Sequence, residues 1–238
     1  MTFKNRRDAG AQLAKILEKY KNGKDVILLA LPRGGVVVAD EIAKSLNLPL
    51  DIVVPRKIGA PGNPEYAIGA IILTPTFSPP ISPAAKQGNP HLPPPISPAA
   101  KQGEIEGVFN EKEIENIDKE WLKKEIEKEK GEAKRRLKLY RGKKPPLDLK
   151  NKIVILVDDG IATGLTLLAA IKSVKKQNPE KILVAVPVGA PDSVEIIKEK
   201  VDEIICLYTP AFFGAVGSFY EKFEQTTDEE VIEIMKKY

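Results

Sequence analysis

Two kinds of hydrophobic pattern alternate along this chain. Apolar runs at residues 26–31, 51–54, 152–157, 181–186 and 203–207 are strand-length and show little polar alternation. That is the pattern of parallel strands covered on both faces. Between the runs, apolar residues return at three- and four-residue spacings. Ala9, Leu13, Ile16, Leu17 and Tyr20 predict an amphipathic helix within 4–21, and similar patterns predict helices over 36–46, 165–177 and 191–200. Asn22-Gly23 supplies a stop for the first helix, and Pro32-Arg33-Gly34-Gly35 ends the first strand abruptly. Strands alternating with helices of this length imply right-handed βαβ units. The expected fold is therefore α/β, a doubly wound, mostly parallel sheet of about five strands. In such sheets ligands bind beyond the carboxyl ends of the strands, which directs attention to 32–35, 55–59, 158–166 and 187–191.

Two stretches depart from that pattern. Over 111–141, Ile114, Ile117, Trp121, Ile126, Ala133, Leu137 and Tyr140 recur at helical spacings amid dense Lys and Glu. One long charged helix is expected there, inserted as a hood with a single buried stripe and a solvated face. Over 74–103, the ten residues Pro-Pro-Ile-Ser-Pro-Ala-Ala-Lys-Gln-Gly at 79–88 return word for word at 94–103. A verbatim tandem repeat so rich in proline is expected to form an extended loop insertion rather than packed structure. The remainder of 1–238 reads as one domain.

Composition narrows the chemistry. With 42% hydrophobic residues in 238, the chain can bury one sizeable core. No stretch approaches the ~20 uninterrupted apolar residues of a membrane span, and the N-terminal segment enters an amphipathic pattern rather than an apolar signal core. No membrane association and a cytoplasmic location are expected. Cys206 is the only cysteine and sits in an apolar run, as a small core residue would. His91, the only histidine, lies in the proline-rich insertion, which leaves no basis for a Ser-His-Asp triad or a histidine metal cluster. A net charge of +4 with interleaved signs is too mild for a nucleic-acid surface and suits an anionic small molecule.

The segment that carries chemistry follows the strand at 152–157: Asp158-Asp159-Gly160-Ile161-Ala162-Thr163-Gly164-Leu165-Thr166, with a helix beginning directly after it. Carboxylates at a strand end can accept hydrogen bonds from two ribose hydroxyls and hold the hydration shell of a magnesium ion. The glycines let successive backbone N–H groups turn inward, and the helix N-terminus adds its positive end, which together cradle a phosphate. Thr163 and Thr166 can add hydroxyl donors. An Asp-rich turn that merely caps a helix needs one aspartate and no Thr-Gly-x-Thr. A Rossmann Gly-x-Gly-x-x-Gly and a Walker Gly-Lys-[Ser/Thr] are both absent.

This loop resembles the signature by which type I phosphoribosyltransferases bind 5-phosphoribosyl 1-pyrophosphate (PRPP). Two further segments are similar to that family. Leu31-Pro32-Arg33-Gly34-Gly35 resembles its pyrophosphate loop, in which backbone N–H groups hold pyrophosphate and one peptide bond is commonly cis; an ordinary turn is the competing reading of the tetrapeptide. Arg56-Lys57-Ile58-Gly59, with Glu65-Tyr66-Ala67-Ile68-Gly69 beyond it, is similar to adenine phosphoribosyltransferases. The resemblance spans most of 7–236 apart from the repeat, including the tail 219–225. By resemblance Arg33, Gly34, Gly35, Arg56 and Lys57 bind pyrophosphate, and residues 158–166 bind the ribose phosphate. Arg33 and Asp159 serve the chemistry, and Glu65 either handles the acceptor's proton or caps a turn after Pro64. The stretch 58–69 is the candidate lid. Magnesium is the implied cofactor, water-mediated through Asp158 and Asp159 with no direct protein ligand, and a homodimer is the implied assembly.

The resemblance implies transfer of 5-phosphoribosyl from PRPP to a nucleobase-like acceptor with release of pyrophosphate. Ala162 stands where 6-oxopurine transferases carry an aspartate, which weighs against hypoxanthine and guanine. The alternative is a PRPP-sensing regulator that keeps the fold without transferase activity.

Overall fold

A computed structural model describes residues 2–73, 105–142, 144 and 147–238. The repeat at 74–103 and His91 lie outside the described residues. Five strands, β1 (Val26–Ala30), β2 (Leu50–Ile52), β6 (Ile153–Val157), β7 (Lys181–Val188) and β8 (Glu203–Tyr208), form one sheet in the order β2-β1-β6-β7-β8. All four pairings are parallel. Successive side chains of a strand point to opposite faces, so each apolar run feeds two cores. Leu28, Ala30, Ile155, Val157, Leu183 and Ala185 face α1 (Arg6–Ile16), α2 (Gly34–Leu46) and α7 (Asp228–Met235). Leu29, Val154, Leu156, Val184 and Val186 face α5 (Leu165–Lys175) and α6 (Pro191–Lys198). The expected doubly wound α/β sheet is thus present.

The chain leaves β1 toward β2 on one side and continues from β6 toward β7 and β8 on the other. The strand order therefore reverses between β1 and β6, and a crevice opens there at the carboxyl ends of the strands.

The sequence reading missed a second sheet. β3 (Pro55–Ala60), β4 (Asn63–Leu73) and β5 (Ile105–Phe109) form an antiparallel sheet in the order β3-β4-β5. The stretch 58–69, expected as a lid, is a hairpin whose turn carries Gly62 at φ 76° and whose ladder shifts register around Gly59. Ile58 and Ile68 root it among buried side chains, while residues 61–64 and Tyr66 are exposed. The long charged helix is also divided. A short α3 (Glu111–Ile114) precedes α4 (Lys119–Arg141), and Asp118 caps α4 by accepting the Trp121 N–H at 2.7 Å. The apolar stripe survives the break because Ile114, Ile117, Trp121, Leu122 and Ile126 all pack on Ile58, Ile68 and Ile71. This is the hood, clamped by Arg56–Glu129 at 2.6 Å and by the Arg141 fork on Asp51 at 2.8 and 3.0 Å.

Leu73 and Ile105 are register partners in the β4–β5 ladder, so 74–104 begins and ends at adjacent strand ends. Replacing 74–104 by Asn-Gly, which suits a two-residue hairpin loop, is expected to preserve the fold. Loop length enters closure entropy logarithmically, at about 0.6 kcal/mol per doubling, so cutting 74–104 to two residues should raise stability in urea unfolding by roughly 2 kcal/mol. A variant that fails to fold would assign packed structure to the repeat.

Candidate functional site

β1 and β6 end side by side, with Ala30 opposite Val157 and the Leu31 N–H bonded to the Val157 carbonyl at 2.9 Å. The loops that follow them therefore meet in the crevice. After β1, the Pro32–Arg33 peptide bond is cis, as the resemblance led one to expect, and α2 starts at Gly34. After β6 come Asp158 and Asp159. A Cβ on Gly34 would sit 1.8 Å from Oδ2 of Asp159, and one on Gly35 would sit 2.7 Å from the Val157 carbonyl and 2.9 Å from Cα of Asp158. The two loops touch so closely that a side chain at Gly34 would have to displace the Asp159 carboxylate, and one at Gly35 would press on the backbone of Val157 and Asp158.

The acid pair is recessed and asymmetric. Asp158 Oδ1 accepts the Asp159 N–H at 2.9 Å. Asp159 Oδ2 accepts from Nε of Arg6 at 2.7 Å, and the Asp159 carbonyl accepts the Tyr220 hydroxyl at 2.6 Å. Burial pushes the Asp158 carboxyl well above the usual carboxylate range, and the neighbouring Asp159 charge pushes it further. Asp159 is raised by burial too, opposed by the Arg6 guanidinium. Tyr220 is displaced upward, chiefly by burial.

A carboxyl that holds its proton more tightly folded than unfolded makes the native state bind more protons over the interval between its two pKa values. Stability then falls as pH rises through that interval, which starts in the ordinary aspartate range and ends above it, and it stays lowered beyond. Asp158→Asn removes this penalty while keeping an oxygen for the Asp159 N–H. The variant is expected to be more stable than the parent at pH 7 by roughly 1 kcal/mol or more. The gap should close in urea titrations near pH 3; a variant less stable than the parent at pH 7 would contradict the assignment.

Residues 160–166 wrap the start of α5. Gly164 adopts φ 73° at its N-cap, a left-handed conformation that glycine accepts without strain. Ile161 is pinned to the end of β7 by its N–H on the Val188 carbonyl at 2.9 Å and by its carbonyl on the Ala190 N–H at 2.8 Å. Ser193 donates to the Ala162 carbonyl at 2.6 Å. The loop thereby encloses a cavity of about 180 Å³, lined by Asp158, residues 160–167, Lys57, Ala67 and Val216. First-turn N–H groups of a helix lack intrahelical acceptors, so this cavity is furnished for a phosphate.

Of the three cations expected near pyrophosphate, Lys57 lines this cavity, whereas Arg56 reaches Glu129 on α4 and Arg33 turns to Asp228. Neighbouring residues of a strand face opposite ways. Arg33 lies 3.5 Å from Oδ1 of Asp228, whose carboxylate also takes the Tyr140 hydroxyl at 2.5 Å and Arg135 at 3.1 Å. Asp228 is accordingly held below the usual carboxylate range, first by the Tyr140 hydroxyl and then by Arg135, against burial. Glu65 lies in β4, two residues before Ala67. Among the described residues no cluster of three or more metal-ligating side chains occurs. The acid pair is compatible with a magnesium ion that keeps most of its water.

Sequence reasoning placed Tyr140 only in the stripe of the long helix and Phe223 only in the family-like tail, and it did not single out Arg6 or Asp228. Each is brought to the site by contacts across the fold rather than by a local motif.

Comparison with known proteins gives a consistent result. The family model described as "Phosphoribosyl transferase domain" matches residues 3–87 and 109–224. The crystal structure of TT1426 from Thermus thermophilus superposes with a TM-score of 0.71 at 36% identity, covering 100% of this chain and 99% of that one. The Mycobacterium tuberculosis (strain H37Rv) protein named "Putative phosphoribosyl transferase Rv0571c" is 37% identical over 235 residues, 99% of this chain and 46% of its own length. The chain thus spans about half the length of that curated relative. Uracil phosphoribosyltransferase of Mycoplasma genitalium is 42% identical over a shorter stretch of 57 residues, 24% of this chain and 28% of that one. With its acid pair and glycine loop at the switch point of a doubly wound sheet, the chain belongs to the phosphoribosyl transferase domain family.

Proposed function

We propose that the protein transfers the 5-phosphoribosyl group of PRPP to a nucleobase-like acceptor, releasing pyrophosphate, with magnesium as cofactor. The observation that carries this reading is the contact between the Gly34 position and Asp159 beside the 160–167 cavity. It sets a pyrophosphate-type loop, two ribose-type carboxylates and a phosphate-type cradle edge to edge, in the order in which PRPP carries those groups.

In this reading the cradle takes the 5-phosphate, with Lys57 across the cavity and the hydroxyls of Thr163 and Thr166 at its rim. Asp158 and Asp159 accept from the ribose hydroxyls and orient C1. They are also the residues that would hold magnesium through its water shell, where the ion supplies charge to neutralise the pyrophosphate. Arg33 adds a fixed positive charge where negative charge grows as the C1–O bond breaks. The acceptor nitrogen forms the new bond to C1, and the electron pair of the broken bond leaves with pyrophosphate.

The test is a panel of nucleobases supplied with PRPP and magnesium, read by pyrophosphate release. Acceptor-dependent release supports the reading. PRPP binding without release with any base would favour a PRPP sensor, and absence of PRPP binding would remove the assignment altogether.

A further inference from the structure

The two ends of the chain converge on the pyrophosphate-loop side of the acid pair. There a second cavity, of about 280 Å³, is lined by Arg6, Arg33, Gly34, Phe223, Gln225 and Thr226. None of these is acidic; two are guanidinium groups, and Gln225 and Thr226 add an amide and a hydroxyl. Arg6 is held on three sides. Its Nε donates to Asp159 Oδ2 at 2.7 Å, Nη1 donates to the Glu224 carbonyl at 2.7 Å, and the guanidinium lies 3.8 Å above the centre of the Phe223 ring. Only 11% of the side chain remains exposed. A guanidinium carries five N–H donors, so these two bonds leave others for a ligand. Arg33 is balanced from behind in the same manner, by Asp228 at 3.5 Å.

Two guanidinium groups line one cavity, each with a carboxylate partner outside the lining and with N–H donors left over for an anion. A diphosphate presents oxygens on two linked tetrahedra and can accept both forks. We propose that Arg6 binds the pyrophosphate moiety of PRPP, as a second guanidinium beside Arg33. The inference rests on the phosphoribosyltransferase reading and adds to it a binding residue from outside both recognisable loops. Because Arg6 also bonds Asp159, it ties the carboxylate that orients the ribose to the group that leaves it. As the C1–O bond breaks and its electron pair passes to pyrophosphate, the attraction to Arg6 grows, so the contact favours the transition state over the bound substrate.

The experiment is calorimetric titration of the full chain, and of Arg6→Gln, Arg6→Lys and Phe223→Leu, with magnesium pyrophosphate, PRPP and ribose 5-phosphate. Arg6→Gln is expected to weaken pyrophosphate and PRPP by about tenfold or more, the loss of one charge-assisted contact, and to leave ribose 5-phosphate within about twofold. Arg6→Lys retains a charge for Asp159 and should hold the parent's thermal midpoint, yet it lacks the fork and should bind pyrophosphate about threefold or more weakly. Phe223→Leu removes the ring beneath the guanidinium without touching Asp159 and should weaken pyrophosphate selectively, so the question stays decidable should Arg6→Gln not fold. Parent-like pyrophosphate affinity in Arg6→Gln, or in Arg6→Lys and Phe223→Leu together, would overturn the proposal and leave Arg6 as a brace for Asp159. An equal loss of all three ligands would overturn it as well. In either case the parent's binding of PRPP keeps the functional reading intact; a parent that binds neither PRPP nor pyrophosphate ends both.

Discussion

Gly34→Ala is expected to fold and to lose PRPP affinity by about 10², the equivalent of a charge-assisted hydrogen bond forgone. The new methyl carbon would lie 1.8 Å from Oδ2 of Asp159, 2.6 Å from its Cγ and 2.7 Å from Nε of Arg6. All three atoms belong to side chains, so the backbone can stay in place while the carboxylate rotates away. That rotation breaks the 2.7 Å bond to Arg6 and takes from the crevice the oxygen proposed to face the ribose. Gly35→Ala is the contrasting control. Its methyl would press on the Val157 carbonyl and on Cα of Asp158, which are fixed in and beside β6. Overpacking against backbone costs about 1–3 kcal/mol, so Gly35→Ala should lower the unfolding midpoint where Gly34→Ala mainly lowers affinity. Circular dichroism and PRPP calorimetry on both variants separate the two. Parent-like PRPP binding by Gly34→Ala would show that Asp159 has no part in holding the ligand.

Which parts of the molecule could be read from sequence follows from how far each feature's cause lies from it in the chain. β1, β6 and β7 are buried on both faces, so their apolar runs are unbroken and were legible with their neighbouring helices. The acid pair and its glycine loop were legible because strand, acids, glycines and helix follow one another within a few residues. The hairpin 55–73 was not. Its first strand mixes Pro55, Arg56, Lys57 and Gly59 around a single buried Ile58, which reads as a loop until α4 is seen covering it. The break before α4 was hidden by an apolar spacing that runs straight through it; only Asp118, an N-cap residue in position, marked the restart. Arg56 and Lys57 read alike, and only the ladder decides that one meets Glu129 while the other lines the cradle. Arg6 was out of reach altogether, because its partner Asp159 is 153 residues away and an arginine at the start of an amphipathic helix looks solvated.

Glu65→Gln is expected to leave PRPP affinity unchanged and to lower turnover by about 10² or more. A nucleobase nitrogen that attacks C1 must shed or relocate a proton. Asp158 and Asp159 are committed to ribose in the proposed reading. Ala162 offers no acid at the place where 6-oxopurine transferases carry one. His91 is the only histidine and belongs to the proline-rich insertion. Among the recognisable motifs Glu65 is the carboxylate that remains, and β4 sets it two residues from Ala67 at the cavity wall. The hairpin turn beside it, 61–64, is exposed, and in the proposed reading this segment would close over a bound acceptor. A carboxylate losing water on such closure has its pKa raised, and a base tuned nearer the working pH transfers protons more effectively. Glutamine keeps the shape and the hydrogen bonding but cannot take the proton, so the loss should fall on kcat and not on PRPP binding. Single-turnover rates with the acceptor identified from the base panel, set beside PRPP calorimetry, read the two separately. Normal turnover with weakened PRPP binding would move Glu65 into the pyrophosphate site or the hairpin's architecture, and the acceptor's proton would then have to leave through solvent or through the base's own tautomers.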